Sequence, residues 1–244
     1  MGTVISITSG KGGTGKTSIT GGVAASLALM GRRVLCVDMD IGLRNLDITL
    51  GLNDRALMDF SDVALGRCPL ARAAVEHPDL KGLYLLTSPM TLPASLTADK
   101  IRDLLDTART EYDYILIDAP AGLGAGFHLA VCGADRVLVI ATNDASSLRD
   151  AQRTVEKLEG YRQVHLVMNR IQLKLLRRLR ATIDDAMNAA GLPLLGVVPE
   201  DPQVILCANL GLPLSSRGKK GAALACWNIA QRLEGQQIPI MKIR

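Results

Sequence analysis

The sequence predicts one α/β domain with a mostly parallel, twisted sheet and helices on both of its faces. Short apolar, β-branched segments alternate with helical patterns along the 244 residues, which is typical of parallel strands joined by crossover helices. Hydrophobic residues make up 48% of the chain and aromatic residues only 3%, so the core must be aliphatic. A chain of this length can bury a substantial single core. We therefore expect one domain over residues 1–237 and a short tail over residues 238–244.

Each predicted element depends on local pattern and on the residues that bound it. Gly31 and Gly191 stand where helix C-caps belong, so they mark the ends of two helices. Proline and glycine in residues 87–93 and 119–126 predict loops. Apolar runs predict strands over residues 3–8, 33–38, 83–87, 114–118, 136–142, 163–169 and 194–198. Periodic apolar positions predict helices over residues 17–30, 97–109, 146–159, 174–190 and 219–233.

Composition limits the functional classes. The net charge of +4 is compatible with anionic partners but is too small to indicate a nucleic-acid binder by itself. The five cysteines are scattered without a C-x-x-C pair, which favours a reducing compartment. No basic leader is evident, and no apolar run approaches the roughly 20 residues that span a bilayer. We expect a cytoplasmic protein that can attach peripherally to the inner face of the cell membrane.

A phosphate-binding loop follows the first predicted strand and precedes the first predicted helix. Its glycines let backbone N–H groups converge on phosphate oxygens, and the helix directs its positive dipole end to the same place. Lys16 would reach the β- and γ-phosphates, and Thr17 would ligate Mg²⁺. The loop consists of Gly10, Lys11, Gly12, Gly13, Thr14, Gly15, Lys16, Thr17 and Ser18. This strand, loop and helix order makes a merely flexible glycine-rich turn a poor alternative.

Two more strands end in carboxylates. Asp118 closes an apolar strand and is the expected Walker B residue, holding Mg²⁺ directly or through water. The loop after it contains Gly122, whose amide could sense the γ-phosphate. Asp38 and Asp40 follow another buried-looking strand, with Asp38 expected near the metal and Asp40 near the attacking water. Helix capping is the alternative role for these carboxylates.

The lysine at position 11 makes the loop resemble the deviant Walker A box of the ParA/MinD family of dimerising ATPases. The run from Asp38 to Asp47 resembles the MinD branch of that family more than the plasmid-partition branch. Further matches occur in order at residues 118–122, 133–136, 147–151, 169–171 and 196–201. Together they extend over most of the chain.

This resemblance implies an ATP-dependent, Mg²⁺-dependent sandwich homodimer in which Lys11 contacts the partner's nucleotide. It also implies hydrolysis of ATP to ADP and phosphate, with Lys11, Lys16 and Asp40 as the catalytic residues. Asn169 and the loop of Pro199, Glu200 and Asp201 would contact adenine. The resemblance further implies a role in division-septum placement, with surface attachment, recruitment of a septation inhibitor and activation by a topological-specificity protein.

Three departures from the family pattern concern the activating partner, the loop after Gly122 and the membrane. Gln152 occupies a position where the family usually has an acidic residue, which bears on the activating partner. Residues 123–126 lack the usual glutamate and contain additional glycine. Residues 238–244 contain Pro239 and are too few for the usual amphipathic membrane-targeting helix, so we expect membrane contact to be weak or indirect.

A basic amphipathic pattern lies within the predicted helix over residues 174–190. Leu175, Leu176, Leu179 and Ile183 share one face, with Lys174, Arg177 and Arg178 opposite. Such a helix can contact anionic lipid or nucleic acid. An ordinary packed helix with a solvated cationic face shows the same periodicity and is the favoured interpretation. An auxiliary contact with an anionic surface is kept as a second hypothesis.

Three other functions share part of the pattern. A partition ATPase of the ParA type would bind DNA non-specifically through cationic patches, but the run from Asp38 to Asp47 argues against it. An iron-protein-type reductase would need two cysteines per subunit for a shared cluster. Cys132 lies at a suitable place, whereas residues 87–97 contain no cysteine. A scaffold that binds ATP without turnover is not indicated, because Lys11, Lys16, Asp40 and Asp118 are all present.

Overall fold

A computed structural model of the chain describes residues 1–53 and 55–243. Within these residues, the strands are β1 (Thr3–Thr8), β2 (Val34–Asp38), β3 (Val75–Glu76), β4 (Leu83–Leu86), β5 (Tyr114–Asp118), β6 (Arg136–Ala141), β7 (Val164–Ile171) and β8 (Leu194–Pro199). They form one sheet in the order β3-β4-β2-β5-β1-β6-β7-β8. The β3–β4 pair is antiparallel and the other pairs are parallel.

The helices connect these strands and bury both faces of the sheet. They are α1 (Lys16–Leu29), α2 (Asn45–Leu50), α3 (Phe60–Ala64), α4 (Leu70–Ala73), α5 (Ala98–Glu111), α6 (Ala125–Val131), α7 (Ala145–Lys157), α8 (Leu173–Leu179), α9 (Ile183–Ala190), α10 (Pro202–Asn209) and α11 (Gly221–Leu233). A short 3₁₀ helix covers Leu214–Arg217. The predicted fold class, a single α/β domain with a mostly parallel sheet, is confirmed.

Alternating side chains along the strands divide the core into two faces. On β1, Ile5 and Ile7 pack with α1, α2 and α11. Val4, on the opposite face of the same strand, packs with α5. A further cluster joins β6, β7 and β8 to α7 and α9. Burial on both faces explains why the strands read as continuous aliphatic runs.

The prediction of one continuous helix over residues 174–190 is wrong, because the segment forms two helices. Helix α8 ends at Leu179, Arg180 adopts a left-handed conformation with φ of 50°, and α9 begins after Thr182. Thr182 and Asp185 form a capping box that starts this second helix. The predicted apolar face is wrong too, because Leu176 is buried while Leu175 and Leu179 are 43% and 54% exposed.

Several short elements were missing from the sequence prediction. Helices α2, α3, α4 and α10 and strand β3 were not predicted, and α6 begins inside the loop expected over residues 119–126. Most of them are only one or two turns long, so local periodicity is weak and tertiary packing decides their conformation. The C-cap predictions are consistent with the structure, since Gly31 and Gly191 have φ of 85° and 67°.

The segment over residues 238–243 contains no regular secondary structure. The Arg232 guanidinium donates hydrogen bonds to the carbonyls of Ile238 and Pro239, at 3.0 and 2.7 Å. Met241 and Ile243 pack against two different core clusters. The described part of the tail is therefore attached to the domain surface.

Candidate functional site

The candidate site lies at the carboxyl edge of β1, β2 and β5, where ligands bind in open parallel sheets. Strand β1 leads into the phosphate loop, and Asp38 and Asp118 end the neighbouring strands β2 and β5 in direct register. Sheet topology therefore brings together three segments that are far apart in the sequence. These are the phosphate loop, the Asp38–Asp40 segment and the Asp118–Gly122 segment.

Two glycines of the phosphate loop are required by close packing. A Cβ atom at Gly10 would lie 2.5 Å from the Asp150 carbonyl oxygen, and one at Gly15 would lie 2.3 Å from the Asn169 amide nitrogen. Gly15 also has φ of 88° at the start of α1, a conformation that favours glycine. The loop is therefore held between α7 and β7, with the first amides of α1 at its end.

Lys16 is the buried cation of the site. It is 7% exposed, and its ammonium donates to the Ser9 hydroxyl at 3.1 Å. Burial lowers the pKa of Lys16, while the negative charges of Asp118 and Asp40 oppose that shift. The carboxylates therefore help to keep the Lys16 side chain charged in a site with little solvent.

Asp118 is fully buried beside this lysine. Burial raises its pKa to about 7, the nearby charge of Asp38 adds to the shift, and the hydroxyls of Thr17 and Thr20 oppose it. The Thr20 hydroxyl donates to Oδ1 at 3.3 Å. Oδ2 is buried and has no hydrogen-bond partner of normal geometry among the described residues. A free carboxylate oxygen near a threonine hydroxyl is the kind of hard donor pair that Mg²⁺ prefers.

Asp38 occupies the position next to Asp118 but uses its oxygens differently. Its two oxygens accept hydrogen bonds from the backbone N–H groups of Asp40 at 2.9 Å and Leu46 at 3.2 Å. Burial raises its pKa to about 6 despite these bonds. Asp38 thus holds the segment from Asp40 to Leu46 in place, and Asp118 is the carboxylate with the free oxygen.

Asp40 lies at the rim of the site, half-buried. Burial raises its pKa and the positive charge of Lys16 lowers it. Its carbonyl accepts a hydrogen bond from the Ser88 hydroxyl at 3.3 Å. The Asp40 carboxylate therefore lies close enough to Lys16 for an electrostatic interaction between the two side chains.

Lys11 is on the outer side of the loop. Its ammonium donates to Asp144 at 2.8 Å and to the Ser146 hydroxyl at 2.9 Å. Although partial burial would raise the pKa of Asp144, the hydrogen bonds from Lys11, Thr142 and Ser146 hold it well below its usual range. Asp144 is also the N-cap of α7. In the isolated chain, Lys11 is therefore bound to the start of α7.

A cavity of about 170 Å³ adjoins the phosphate loop. Asn169, Pro199, Glu200 and Asp201 line it together with Gly13, Gly15 and Ser18 of the loop, and apolar side chains of β8 and α10 cover its floor. The Asn169 amide donates to the Thr14 carbonyl at 2.8 Å. Asp201 caps α10 and accepts from the Ala222 N–H at 2.9 Å. The residues expected around adenine thus share one cavity, and two of them also shape its walls.

Sequence reasoning missed Arg170, Asp144 and Ser146. Arg170 has φ of 57°, pairs with Glu200 at 2.8 Å and donates to the Gly13 carbonyl at 3.4 Å. It therefore connects the base cavity to the phosphate loop. Asp144 carries a local signal, since it precedes a serine-rich helix start. No local sequence signal indicates the pairing of Asp144 with Lys11, which lies 133 residues away.

Gly122 lies in the loop after β5 with φ of 84°, and within the described part of the chain no atom beyond its two neighbours in sequence would lie within 4 Å of a Cβ at this position. Its backbone is thus open on the side where a Cβ would stand. Among the described residues, no three His, Cys, Asp or Glu side chains converge as a metal site. A cation here would need ligands from a bound phosphate in addition to Asp118 and Thr17.

The comparisons with known proteins agree on one family. The chain matches the CobQ/CobB/MinD/ParA nucleotide binding domain over residues 5–214. It is 39% identical to the septum site-determining protein MinD of Bacillus subtilis, covering 98% of this chain and 92% of the relative. It is 35% identical to the MinD protein of Thermotoga maritima over 98% of this chain and 91% of the relative.

Solved structures give the same result. A chain of the MinC:MinD cell division protein complex of Aquifex aeolicus superposes with a TM-score of 0.92, 36% identity and coverage of 98% of both chains. The Pyrococcus horikoshii MinD complexed with Mg-ADP has a TM-score of 0.83 and 28% identity over 96% of both chains. The chain therefore belongs to the CobQ/CobB/MinD/ParA nucleotide-binding family and, within it, to the MinD-type septum site-determining proteins.

Proposed function

We propose that this chain is a Mg²⁺-dependent ATPase that converts ATP and water to ADP and phosphate and uses ATP to join two copies of itself. The observation that supports this most strongly is the cluster of Lys16, Thr17 and Asp118, in which a buried cation, a hydroxyl and a free carboxylate oxygen meet behind the phosphate loop. The Mg-ADP of the Pyrococcus horikoshii structure is the corresponding ligand in a relative.

Each part of the site has a distinct task in this proposal. The backbone N–H groups at the start of α1 and the Lys16 ammonium bind phosphate oxygens. Asp118 and Thr17 would hold Mg²⁺, which supplies neutralisation of phosphate charge. Asp40 orients the attacking water, since phosphoryl transfer needs positioning more than covalent chemistry. Asn169 and the loop from Pro199 to Asp201 surround the base.

Lys11 has a task that a single chain cannot perform. Its pairing with Asp144 is half-exposed, with side-chain exposures of 32% and 50%, so solvent screening keeps it weak. We propose that Lys11 leaves Asp144 when two chains meet and contacts the γ-phosphate bound by the partner, in the way that an arginine finger acts. The dimer would then depend on the nucleotide present.

The partners proposed for this chain follow from its relatives. The Aquifex aeolicus complex unites a MinD protein with MinC, and we propose a septation inhibitor of that kind as a partner here. An activating, topological-specificity protein is the second proposed partner. Gln152 on α7, which replaces the acidic residue usual in the family, would alter the contact with this protein. The curated relatives are septum site-determining proteins, so a DNA-partition role or an iron-protein role is not favoured.

The site of action proposed is the cytoplasm, with attachment at the inner face of the membrane. No helix in the described part of the chain has both the length and the apolar character needed to cross a bilayer. The short segment over residues 238–243 would contribute little to this attachment.

Light scattering after size exclusion tests the central proposal. Asp40→Ala should bind ATP but hydrolyse it very slowly, so the variant should be monomeric with Mg-ADP and dimeric with Mg-ATP. Wild type with a non-cleavable ATP analogue is the matched control. A monomer under all three conditions would contradict the nucleotide-driven dimer.

A further inference from the structure

We propose that α8 (Leu173–Leu179), together with Arg180, is a contact site for an anionic lipid surface. The sequence of this segment is compatible with two interpretations, an ordinary packed helix and a helix that contacts an anionic surface. The structure separates these alternatives, because the helix is short and buries little of its apolar face.

The leucines of α8 divide into an anchor and an exposed row. Leu176 is 7% exposed and packs in the cluster of β6, β7 and β8. Leu175 and Leu179 lie four residues apart, so they share one side of the helix, and they are 43% and 54% exposed. A helix that served only the core would bury this row.

Cations flank the exposed row without acidic partners. Lys174, Arg177, Arg178 and Arg180 are all exposed, and residues 170–183 contain no aspartate or glutamate. In the described part of the chain, none of these four side chains forms an ion pair, whereas Arg109 pairs with Asp106 and Asp135. The segment is therefore a concentrated patch of unpaired positive charge.

The leucines decide which anionic surface fits. Non-specific binding to nucleic-acid phosphates depends on cations and does not require exposed leucines beside them. A bilayer interface accepts both, since apolar side chains enter the acyl boundary while lysine and arginine contact lipid headgroups. Lys174 and Arg178 form the row next to the leucines on the helix surface, which is the arrangement that an interface requires.

The fold removes the usual cost of a short interfacial helix. Seven residues are too few to form a stable helix on a membrane from a disordered tail. Here the domain already holds α8 in shape, through Leu176 and through Ala181 N–H bonding to the Leu176 carbonyl at 3.1 Å. Contact by one protomer would be weak and salt-sensitive, and joining two protomers would strengthen it.

This inference does not rest on the proposed ATP-driven dimer, since each chain carries its own α8. Vesicle co-sedimentation of the full chain tests it, at low salt, using phosphatidylglycerol/phosphatidylcholine vesicles and pure phosphatidylcholine vesicles, with no nucleotide and with Mg-ATP. We expect binding to the anionic vesicles in both nucleotide conditions and none to the neutral ones. Dimer formation is measured separately by light scattering.

Two variants and two matched controls locate the contact. Arg177→Glu with Arg178→Glu should lower the partition coefficient by about tenfold or more, and Leu179→Ser by about threefold. Arg72→Glu with Lys81→Glu makes the same charge change at exposed positions elsewhere. Leu57→Ser removes a leucine that is 94% exposed outside α8. Both control variants should bind vesicles much more like wild type than the α8 variants do.

Four results would overturn the inference. They are absent binding to anionic vesicles, equal losses in the α8 variants and their controls, and a Leu179→Ser effect on the ATP-dependent dimer instead of on vesicles. The fourth is a charge-reversal effect confined to a random-sequence DNA duplex, which would indicate nucleic acid. Circular dichroism confirms that each variant is folded, so a loss of binding cannot come from unfolding.

Discussion

The two lysines of the phosphate loop lie five residues apart but in opposite environments. Lys16 is buried beside Asp118 and Asp40, whose pKa values are raised by burial. Lys11 is partly exposed and pairs with Asp144 at the start of α7. A buried cation in a fixed field is already in place for a phosphate. A surface cation held by a screened pair can exchange partners at little cost. One loop therefore combines a fixed binding group with a movable one.

Replacing the movable lysine should give the largest effect. In Lys11→Ala we expect the rate of ATP hydrolysis to fall by about 100-fold or more, because a charge supplied in trans acts mainly on the transition state. Nucleotide affinity should change little. Phosphate release and equilibrium dialysis with labelled ATP check the two parts. Equal hydrolysis rates in variant and wild type would exclude Lys11 from catalysis and contradict the contrast between the two lysines.

Replacing the fixed lysine should act on binding first. In Lys16→Ala we expect ATP affinity to fall by roughly 30-fold or more, because a buried charge contact is lost and the carboxylates lose their cation. Lys16→Arg keeps the positive charge but changes the shape of the side chain, so this control separates the contribution of charge from that of steric fit. An unchanged dissociation constant for Lys16→Ala would show that the ammonium is not aimed at phosphate.

The buried carboxylates should make stability depend on pH. The pKa of Asp118 is raised to about 7, so the folded state holds a proton there that the unfolded state releases near pH 4. At this position the free energy of unfolding therefore falls as pH rises from about 4 to about 7. Asp118→Asn should be more stable than wild type by about 2 kcal/mol at pH 8, and by much less at pH 5.

Urea unfolding of the nucleotide-free protein in a chelator measures this difference at the two pH values. The same variant should lose Mg²⁺-dependent ATP binding, which separates stability from function. A stability difference that is identical at pH 5 and pH 8 would show that Asp118 is not the titrating group.

The surface pair of Lys11 should give the smallest effect. We expect Asp144→Asn to lower the free energy of unfolding by less than about 1 kcal/mol, since the pair is screened and asparagine still caps α7. Asp144→Ala should cost about 1 kcal/mol more, because it also removes the cap on the Ser147 N–H. Thermal unfolding distinguishes the two. A large loss in Asp144→Asn would mean that Lys11 is fixed as firmly as Lys16.

The strands and loops near the phosphate site could be predicted from the sequence in chain order, because the β-branched runs, the glycine pattern and the strand-ending carboxylates are local signals. The order of the strands within the sheet was not predicted. The sequence placed Asp38, Asp118 and the loop at one edge, since parallel strands end together. It did not determine the ends of short helices such as α2 and α10, whose shape depends on packing.

How these groups interact depends on long-range packing, which the local sequence signals do not contain. The pairing of Lys11 with Asp144 and the bond from Asn169 to the phosphate loop join residues that are 133 and 155 positions apart. The burial of the free Asp118 oxygen likewise depends on what the rest of the fold places around it. The break between α8 and α9 has a local signal in the capping box of Thr182 and Asp185, whereas the left-handed conformation of Arg180 does not follow from the periodicity of the segment. Periodicity records which residues could share a face, whereas burial depends on what the rest of the chain places against it.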